Sequence, residues 1–407
     1  METVYRAYET LAYPPHPLTR AEIDLSALRE NYRFLAGMLR TRDRNIRPIA
    51  VLKADAYGHG APVCAVALAR EGCERFAVAS VGEGVAVRHA LRANGQTGNV
   101  LVLGHTDPSE VGTLAREDLT QSLFSEADAG DLAAAAEAAG VVLRVHFALD
   151  TGMNRVGFAA QTDRETEATV NTVARFARAG SLRAEGLFTH FAAADTDEVL
   201  TKEQTRRFFA VRDGLAARGI GPLFCHLCNS AGAVTAPGAL ADGARIGILL
   251  WGVMPGPTVS LPLRPVMRLR TAVVHLHRLP RGASVGYGGD YRPGGERVIA
   301  TLPIGYADGL LRSASGARVT VHTRAGAEKA PVVGRVCMDQ CMLDVTGTDA
   351  QVGDTVTVFG HDPADLPALA DRAGTIPYEL LSLLSARVPR VYTEPKGEPR
   401  YVVERRL

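Results

Sequence analysis

At 407 residues the chain is too long for one ordinary core and suits a large barrel plus a second domain. Lys and Arg number 45 against 44 Asp and Glu, and the resulting net charge of +1 leaves neither a nucleic-acid footprint nor an acidic tail. Apolar runs of about 18 residues are absent, the first residues carry charges and prolines where a leader needs an apolar centre, and six cysteines are too sparse for a disulfide scaffold, so a cytoplasmic chain with no membrane span is expected.

Residues 1–20 are polar, tyrosine-bearing and proline-broken, and read as an arm or first strand associated with the second domain. Ser26 is a fitting N-cap for a helical pattern running to about Leu39. From there strands and helices alternate. Apolar runs at Ile49–Lys53, Phe76–Ala79, Val100–Leu103, Gln121–Phe124, Val141–Leu149, Gly186–His190, Leu223–Leu227 and Arg245–Leu250 predict eight strands. Helical stretches such as Asp131–Ala139 and Lys202–Arg218 lie between them. The count favours an α/β fold with a (β/α)8 TIM-type barrel over residues 21–255, against a doubly wound sheet of fewer strands.

Pro255-Gly256-Pro257 opens a linker, and the pattern changes over residues 256–407. Short β-rich runs at Val266–Leu276, Arg297–Pro303, Arg318–His322, Ala330–Val336, Gln340–Val345 and Thr355–Gly360 predict a C-terminal mostly-β domain. Helices at Ala364–Ala373 and Glu379–Ser385 interrupt it.

In a barrel, chemistry sits at the C-terminal strand ends, and Lys53 closes the first barrel strand there. Taken alone, such a lysine packs its stem on apolar neighbours and reaches water with its ammonium. Held partly out of water, its pKa falls and it can form a Schiff base. Tyr57-Gly58-His59-Gly60 in the next turn favours the second reading. Arg155, delivered by a glycine turn after strand five, is either an exposed arginine or a fork for a carboxylate, at about 1.5–3 kcal/mol per charged hydrogen bond. His190 ends strand six. Asn229, Ser230, Arg245, Gly247 and Ile248 lie where a hydroxyl and backbone N–H groups can cradle a phosphate, so a phosphate-bearing cofactor is expected.

Tyr287, Tyr306 and Tyr378 occupy three irregular loops, consistent with a lined pocket mouth. Cys225-x-x-Cys228 and Cys337-x-x-x-Cys341 lack the further ligands of a zinc site and read as buried thiols, so no metal is expected. Gly82-Glu83-Gly84 is too short for a nucleotide loop.

The stretches VLKADAYGHG, LDTGMNRVG, GLFTHFA, CHLCNSA, RIGI, VGYGGDY, IGYADG, GRVCMDQCM, IPYE and ARVPR, spread in order from Ala21 to about Arg390, closely resemble the alanine racemases, fold-type III pyridoxal-phosphate enzymes. The resemblance implies a two-base interconversion of L- and D-alanine with pyridoxal 5'-phosphate. It also implies a head-to-tail homodimer whose sites draw on both chains, with D-alanine supplied to peptidoglycan or degraded. Lys53 would carry the cofactor and act as one acid–base group, and Tyr287 of the partner subunit would be the other. Tyr57, Ser230, Gly247, Ile248 and Tyr378 would hold the phosphate, with Asn229 beside Ser230. Arg245 would face the pyridine nitrogen and, remaining a cation, would make the ring a weaker electron sink than an acidic partner would. His190 would support Tyr287, Arg155 and the backbone at Met338 would bind the substrate carboxylate, and Tyr306 and Tyr378 would narrow the mouth.

One position departs from the pattern. Such enzymes often carry a carbamate-modified lysine two residues before the aspartate, where this chain has Ala148. An unpaired buried Arg155 would cost several kcal/mol, so chloride or another anion is expected beside it. Trp251 stands where tyrosine is frequent and carries no functional claim. Broad-specificity amino-acid racemases share the fold and are the alternative. Decarboxylases of basic amino acids put a glutamate at the pyridine nitrogen, against which Arg245 argues. Non-catalytic carriers of the cofactor are single barrels, without the β domain that here holds Tyr287 and Tyr306.

Overall fold

A computed structural model describes residues 18–393 and the strand Pro399–Val403. All but the last three residues of the expected arm lie outside the described residues. The chain enters through β1 (Arg20–Asp24) and turns directly into a helix, Leu25–Arg42. Its N-cap is Asp24 and not Ser26. The Asp24 carboxylate accepts from the backbone N–H groups of Ser26 and Ala27 at 2.9 Å each, satisfying two orphan donors with a negative charge.

The barrel follows. Its strands are β2 (Arg47–Val51), β3 (Arg75–Val78), β4 (Asn99–Val102), β5 (Leu119–Leu123) and β6 (Leu143–Asp150). After a two-residue strand, β7 (Phe158–Ala159), come β8 (Leu182–Thr189), β9 (Phe224–His226) and β10 (Gly243–Ile246). Every neighbouring pair is parallel, β5 pairs with β6, and β10 returns to β2, which closes an eight-stranded barrel. Strands covered on both faces need near-continuous apolar sequence, which is why these runs were visible without alternation. Several ends differ from expectation, and three bear on the site. β8 stops at Thr189, so His190 lies just beyond it. β2 stops at Val51, so Lys53 lies in the turn beyond the strand, and β10 stops at Ile246 because Gly247 turns the chain into a 3-10 helix, Ile248–Trp251.

The second sheet holds β11 (Met267–Ala272), β12 (His275–Leu279), β13 (Arg297–Leu302), β14 (Arg318–Thr323) and β15 (Gly326–Val333). It continues with β16 (Cys341–Asp344), β17 (Thr355–Phe359), β18 (Arg390–Thr393) and β19 (Pro399–Val403). Its order is β12-β13-β16-β15-β14-β17-β11-β1-β18-β19, so β1 belongs to this sheet. The run expected as one strand from Val266 to Leu276 is two strands. Val273 N–H donates to Asp354 while Val274 N–H donates to Thr301, so the backbone changes partner between adjacent residues.

The second domain is seated on the loop that follows Lys53. Arg390 of β18, 1 % exposed, donates from Nε to the Gly58 carbonyl at 2.9 Å. Its terminal nitrogens reach the carbonyls of Ser385, Val388 and Leu384. Tyr392 donates its hydroxyl to the His59 carbonyl at 3.0 Å, and Gly60 (φ 93) passes so close that a Cβ there would stand 1.8 Å from that hydroxyl oxygen. Replacing Arg390 by Met should leave these carbonyls short of donors and cost about 3 kcal/mol of stability. A drop in the thermal unfolding midpoint checks it, and Gly60→Ala should lower the midpoint as well.

Candidate active site

A cavity of about 880 Å³ opens at the C-terminal ends of the barrel strands. Ten residues singled out in the sequence line it: Lys53, Tyr57, Arg155, His190, Asn229, Ser230, Arg245, Gly247, Ile248 and Tyr378. Tyr287, Tyr306 and Met338 do not.

Lys53 opens a turn in which Ala54, Asp55, Ala56 and Tyr57 all have φ between 50° and 56°. Consecutive left-handed residues with side chains cost roughly 1–2 kcal/mol each, so this turn persists only because its surroundings determine it. Ala56 N–H donates to the Leu52 carbonyl at 2.7 Å, and the Asp55 carboxylate accepts from Ala61 N–H at 2.7 Å, holding the start of the next helix. Glu83 accepts from Ala79 N–H at 2.7 Å and from Asp55 N–H at 3.4 Å, tying the turn to the end of β3. Burial lowers the Lys53 pKa, Arg155 and Arg245 lower it further, and Glu83 opposes them. The shift moves Lys53 towards its neutral amine.

Arg245 sits within β10, 4 % exposed, with all four terminal N–H bonds directed at acceptors. One terminal nitrogen donates to the His226 carbonyl at 2.5 Å and to His226 Nδ1 at 2.8 Å. The other donates to the carbonyls of Thr189 (2.6 Å) and Leu227 (3.0 Å) and stands 3.3 Å from His190 Nδ1. Nε–H is the donor left to the cavity. Burial draws the Arg245 pKa down to about 10, so it stays a cation at neutral pH. The two N–H bonds of the Arg245 nitrogen beside His190 face three acceptors, so His190 Nδ1 shares one of them; because a guanidinium only donates, the tautomer with its proton on Nε2 suits this contact better. Burial, Arg245, Arg155 and Lys53 together lower the His190 pKa to about 3, which keeps the ring neutral.

Opposite lies a cradle of small and hydroxyl-bearing residues, with Asp195 and Glu379 also in the cavity wall. Gly247 N–H donates to Ser230 Oγ at 2.9 Å, and a Cβ at Gly247 would stand 2.4 Å from the Tyr57 hydroxyl oxygen, so only glycine fits. Asn229 accepts from Gly232 N–H at 2.9 Å and shapes the turn that presents Ser230. Tyr57 and Tyr378 pack with ring centroids 6.2 Å apart. Burial raises both phenols, Tyr378 to about 12, so each remains a hydrogen-bond donor.

Arg155 was expected to be a buried charge. In the single chain it is exposed, with no ion pair among the described residues, so the penalty for an unpaired buried charge does not apply to one chain alone. Asp150 shapes its loop by accepting from the N–H groups of Gly152, Met153 and Asn154. Ala148 lies in the same cavity wall.

Tyr287, Tyr306 and Met338 are 72 %, 44 % and 54 % exposed. Tyr306 N–H donates to the Cys337 carbonyl and Ala307 N–H to that of Met338, which knits two of their loops together. The described chain does not bring this group to Lys53. The Cys225 and Cys228 thiols are both pushed up to about 12 by burial, and only Cys225 lies in a strand. Sequence reasoning missed Glu83, dismissed with its flanking glycines, and His226, quoted in a motif without a role. Strand periodicity could have aimed His226 into the barrel but not paired it with Arg245.

An amine-selective reagent on the cofactor-free chain should modify Lys53 at lower pH than the exposed Lys202. Arg155→Ala should move that labelling curve to higher pH and Glu83→Gln to lower pH. With four lysines in the sequence, peptide mass mapping reads each separately.

Family models for the alanine racemase N-terminal domain and C-terminal domain match residues 23–255 and 266–392. An alanine racemase of Desulfovibrio desulfuricans is 40 % identical over 380 residues, covering 92 % of this chain and 98 % of its own. The alanine racemase structure of Clostridium difficile superposes with a TM-score of 0.86 at 33 % identity, over 96 % of this chain and 99 % of that one. That of Bacillus anthracis with bound L-Ala-P gives 0.85 at 30 % identity, with the same coverage. The chain belongs to the alanine racemase family.

Proposed function

We propose that this cavity binds pyridoxal 5'-phosphate and interconverts L- and D-alanine between two opposed proton-transfer groups, Lys53 and Tyr287 of the partner subunit. The observation that carries the reading is the pairing, in one cavity, of a lysine whose pKa is lowered by burial with a buried arginine. The residues fit the cofactor. A side-chain-free Gly247, the Ser230 hydroxyl, the start of the 3-10 helix at Ile248 and two neutral phenols suit a phosphate. Arg245 Nε–H suits an acceptor ring nitrogen. The bound cofactor supplies an electron sink that makes the α-hydrogen of the amino acid removable.

The chain's own residues do the rest. Lys53 takes or returns the proton at one face, which needs its amine neutral, and its lowered pKa provides that form. The partner's Tyr287 serves the other face, and His190 Nε2–H can stabilise the phenolate that forms. Arg155, with the backbone at the partner's Met338, orients the substrate carboxylate, and Tyr378 with the partner's Tyr306 narrows the mouth. The exposed tyrosine and methionine group on the β domain is the surface that a second chain would place over the cavity, in a head-to-tail homodimer. Once covered, Arg155 would need a counter-ion, which Ala148 cannot supply, so chloride or another anion serves it. The barrel spans residues up to about 255, the β domain follows, and the six free cysteines suit the cytoplasm.

In deuterated buffer, the holoenzyme should exchange the α-hydrogen of L-alanine and yield equal L and D product by proton NMR and chiral analysis. Tyr287→Phe should lower racemisation by about 10²–10⁴-fold while one enantiomer still exchanges. Mixing inactive Lys53→Ala and Tyr287→Phe chains and letting them exchange should restore about one quarter of the parent activity. Half of the dimers are then mixed, each with one intact site, and no recovery would exclude a shared site. Ala148→Lys should weaken the dependence of substrate affinity on chloride.

A further inference from the structure

We infer that Arg245 imposes one protonation pattern on a two-histidine relay inside the barrel, His226 to His146, and that His146 is a positioning residue holding His226 as an acceptor for Arg245. The pattern follows from hydrogen-bond roles alone. Arg245 offers only donors, and its terminal nitrogen is 2.8 Å from His226 Nδ1, so that atom accepts. The proton of His226 is then on Nε2, which lies 2.9 Å from His146 Nδ1. His146 Nδ1 must accept in turn, and the proton of His146 sits on Nε2.

No other assignment survives. An imidazolium at His226 would set N–H against the guanidinium. An imidazolium at His146 would require His226 to accept at both nitrogens. Burial and the flanking cations Arg75 of β3 and Arg245 of β10 also oppose charging either ring, and Arg144 of β6 adds to this at His146.

Packing holds the rings in place. Phe188 stacks on His226 at 4.9 Å and 7°, and Gly186 leaves the space that His146 fills, since a Cβ there would stand 2.5 Å from its ring. His146 Nε2 is buried with no partner among the described residues, as is the hydroxyl of Ser122, its register neighbour on β5. Among the described residues the relay ends at His146, inside the barrel. It acts as a lock. Without an acceptor at residue 146, His226 can take the other tautomer, whose Nδ1–H would confront Arg245 and push the guanidinium from its place. The consequence for catalysis rests on the proposed position of the cofactor ring at Arg245. The protonation pattern does not.

Histidine-selective ¹⁵N labelling of the chain tests the pattern without substrate. Both imidazoles, assigned through the signals lost in His146→Gln and His226→Gln, should show Nδ1 unprotonated and Nε2 protonated at every pH from about 6 to 9. A protonated Nδ1 on either ring, or an imidazolium, overturns the assignment. His146→Leu should give mixed tautomers at His226 and lower kcat of the holoenzyme by about tenfold or more with little change in KM. His146→Gln, whose amide oxygen accepts, should keep the parent tautomer and recover most of kcat. Parent kcat and parent His226 signals in His146→Leu would overturn the positioning role. If that variant does not fold, failure of His146→Gln to keep the parent tautomer does so. A parent chain with the expected signals but no alanine racemisation would sink the functional reading and leave the relay standing.

Discussion

A guanidinium cannot accept a hydrogen bond, and in this barrel one guanidinium is buried at the centre of the site. Arg245 commits four N–H bonds to three carbonyls and the His226 imidazole, at and just beyond the ends of β8 and β9, and the ring it bonds must turn a lone pair towards it. The surroundings hold it with neutral acceptors and no carboxylate. That choice keeps a permanent cation where the pyridine nitrogen would lie, and a cation that holds its proton limits how much electron density the ring can draw. Under the proposed function, a ring that draws less electron density would suit racemisation better than chemistry that needs a stronger sink.

The second constraint is strain. Four left-handed residues after Lys53 oppose the intrinsic preference of L-amino acids by several kcal/mol in total, at roughly 1–2 kcal/mol each. Anchors from three parts of the chain hold them: Glu83 from the helix after β3, the Asp55 cap on the next helix, and Arg390 and Tyr392 from the far end of the second domain. The β domain thus has a task within its own chain, fixing the turn that carries the lysine. This explains why Arg390 is among the largest fully buried side chains of the protein.

What the sequence could reveal follows from which interactions are local. Eight buried strands were legible because a strand covered on both faces must be apolar throughout, and the change of period near residue 256 marked the second domain. Lys53, Arg155, His190, Ser230 and Arg245 stood out as polar residues at strand ends in an otherwise apolar pattern. Their roles, and those of Tyr287 and Tyr306 in irregular loops, came from the resemblance. The left-handed turn was illegible, because Ala, Asp, Ala and Tyr carry no signal for positive φ. Part of the constraint on them comes from residues more than 300 positions away. The split of the Val266–Leu276 run was equally hidden, since apolar character continues across a point where only the hydrogen-bond partner changes. His146 and Glu83 gained meaning only when partners distant in sequence were in place.

Charge explains how these pieces depend on ligands. Lys53, Arg155 and Arg245 face one cavity, and their mutual repulsion contributes to the lowered pKa of Lys53 and of Arg245. Asp195 and Glu379 also line the cavity, but among the described residues neither forms an ion pair with these three basic groups, so anions entering beside the three would ease the repulsion. A phosphate and a carboxylate would relieve it from opposite ends, the one near Tyr57 and Gly247, the other near Arg155. Neither anion should reach the lysine directly, because a carboxylate beside Lys53 would favour the ammonium and remove the base. The placement of Glu83 fits that requirement. Its carboxylate is tied to the backbone N–H groups of Ala79 and Asp55, so it steadies the turn while much of its charge is already answered before it reaches the amine.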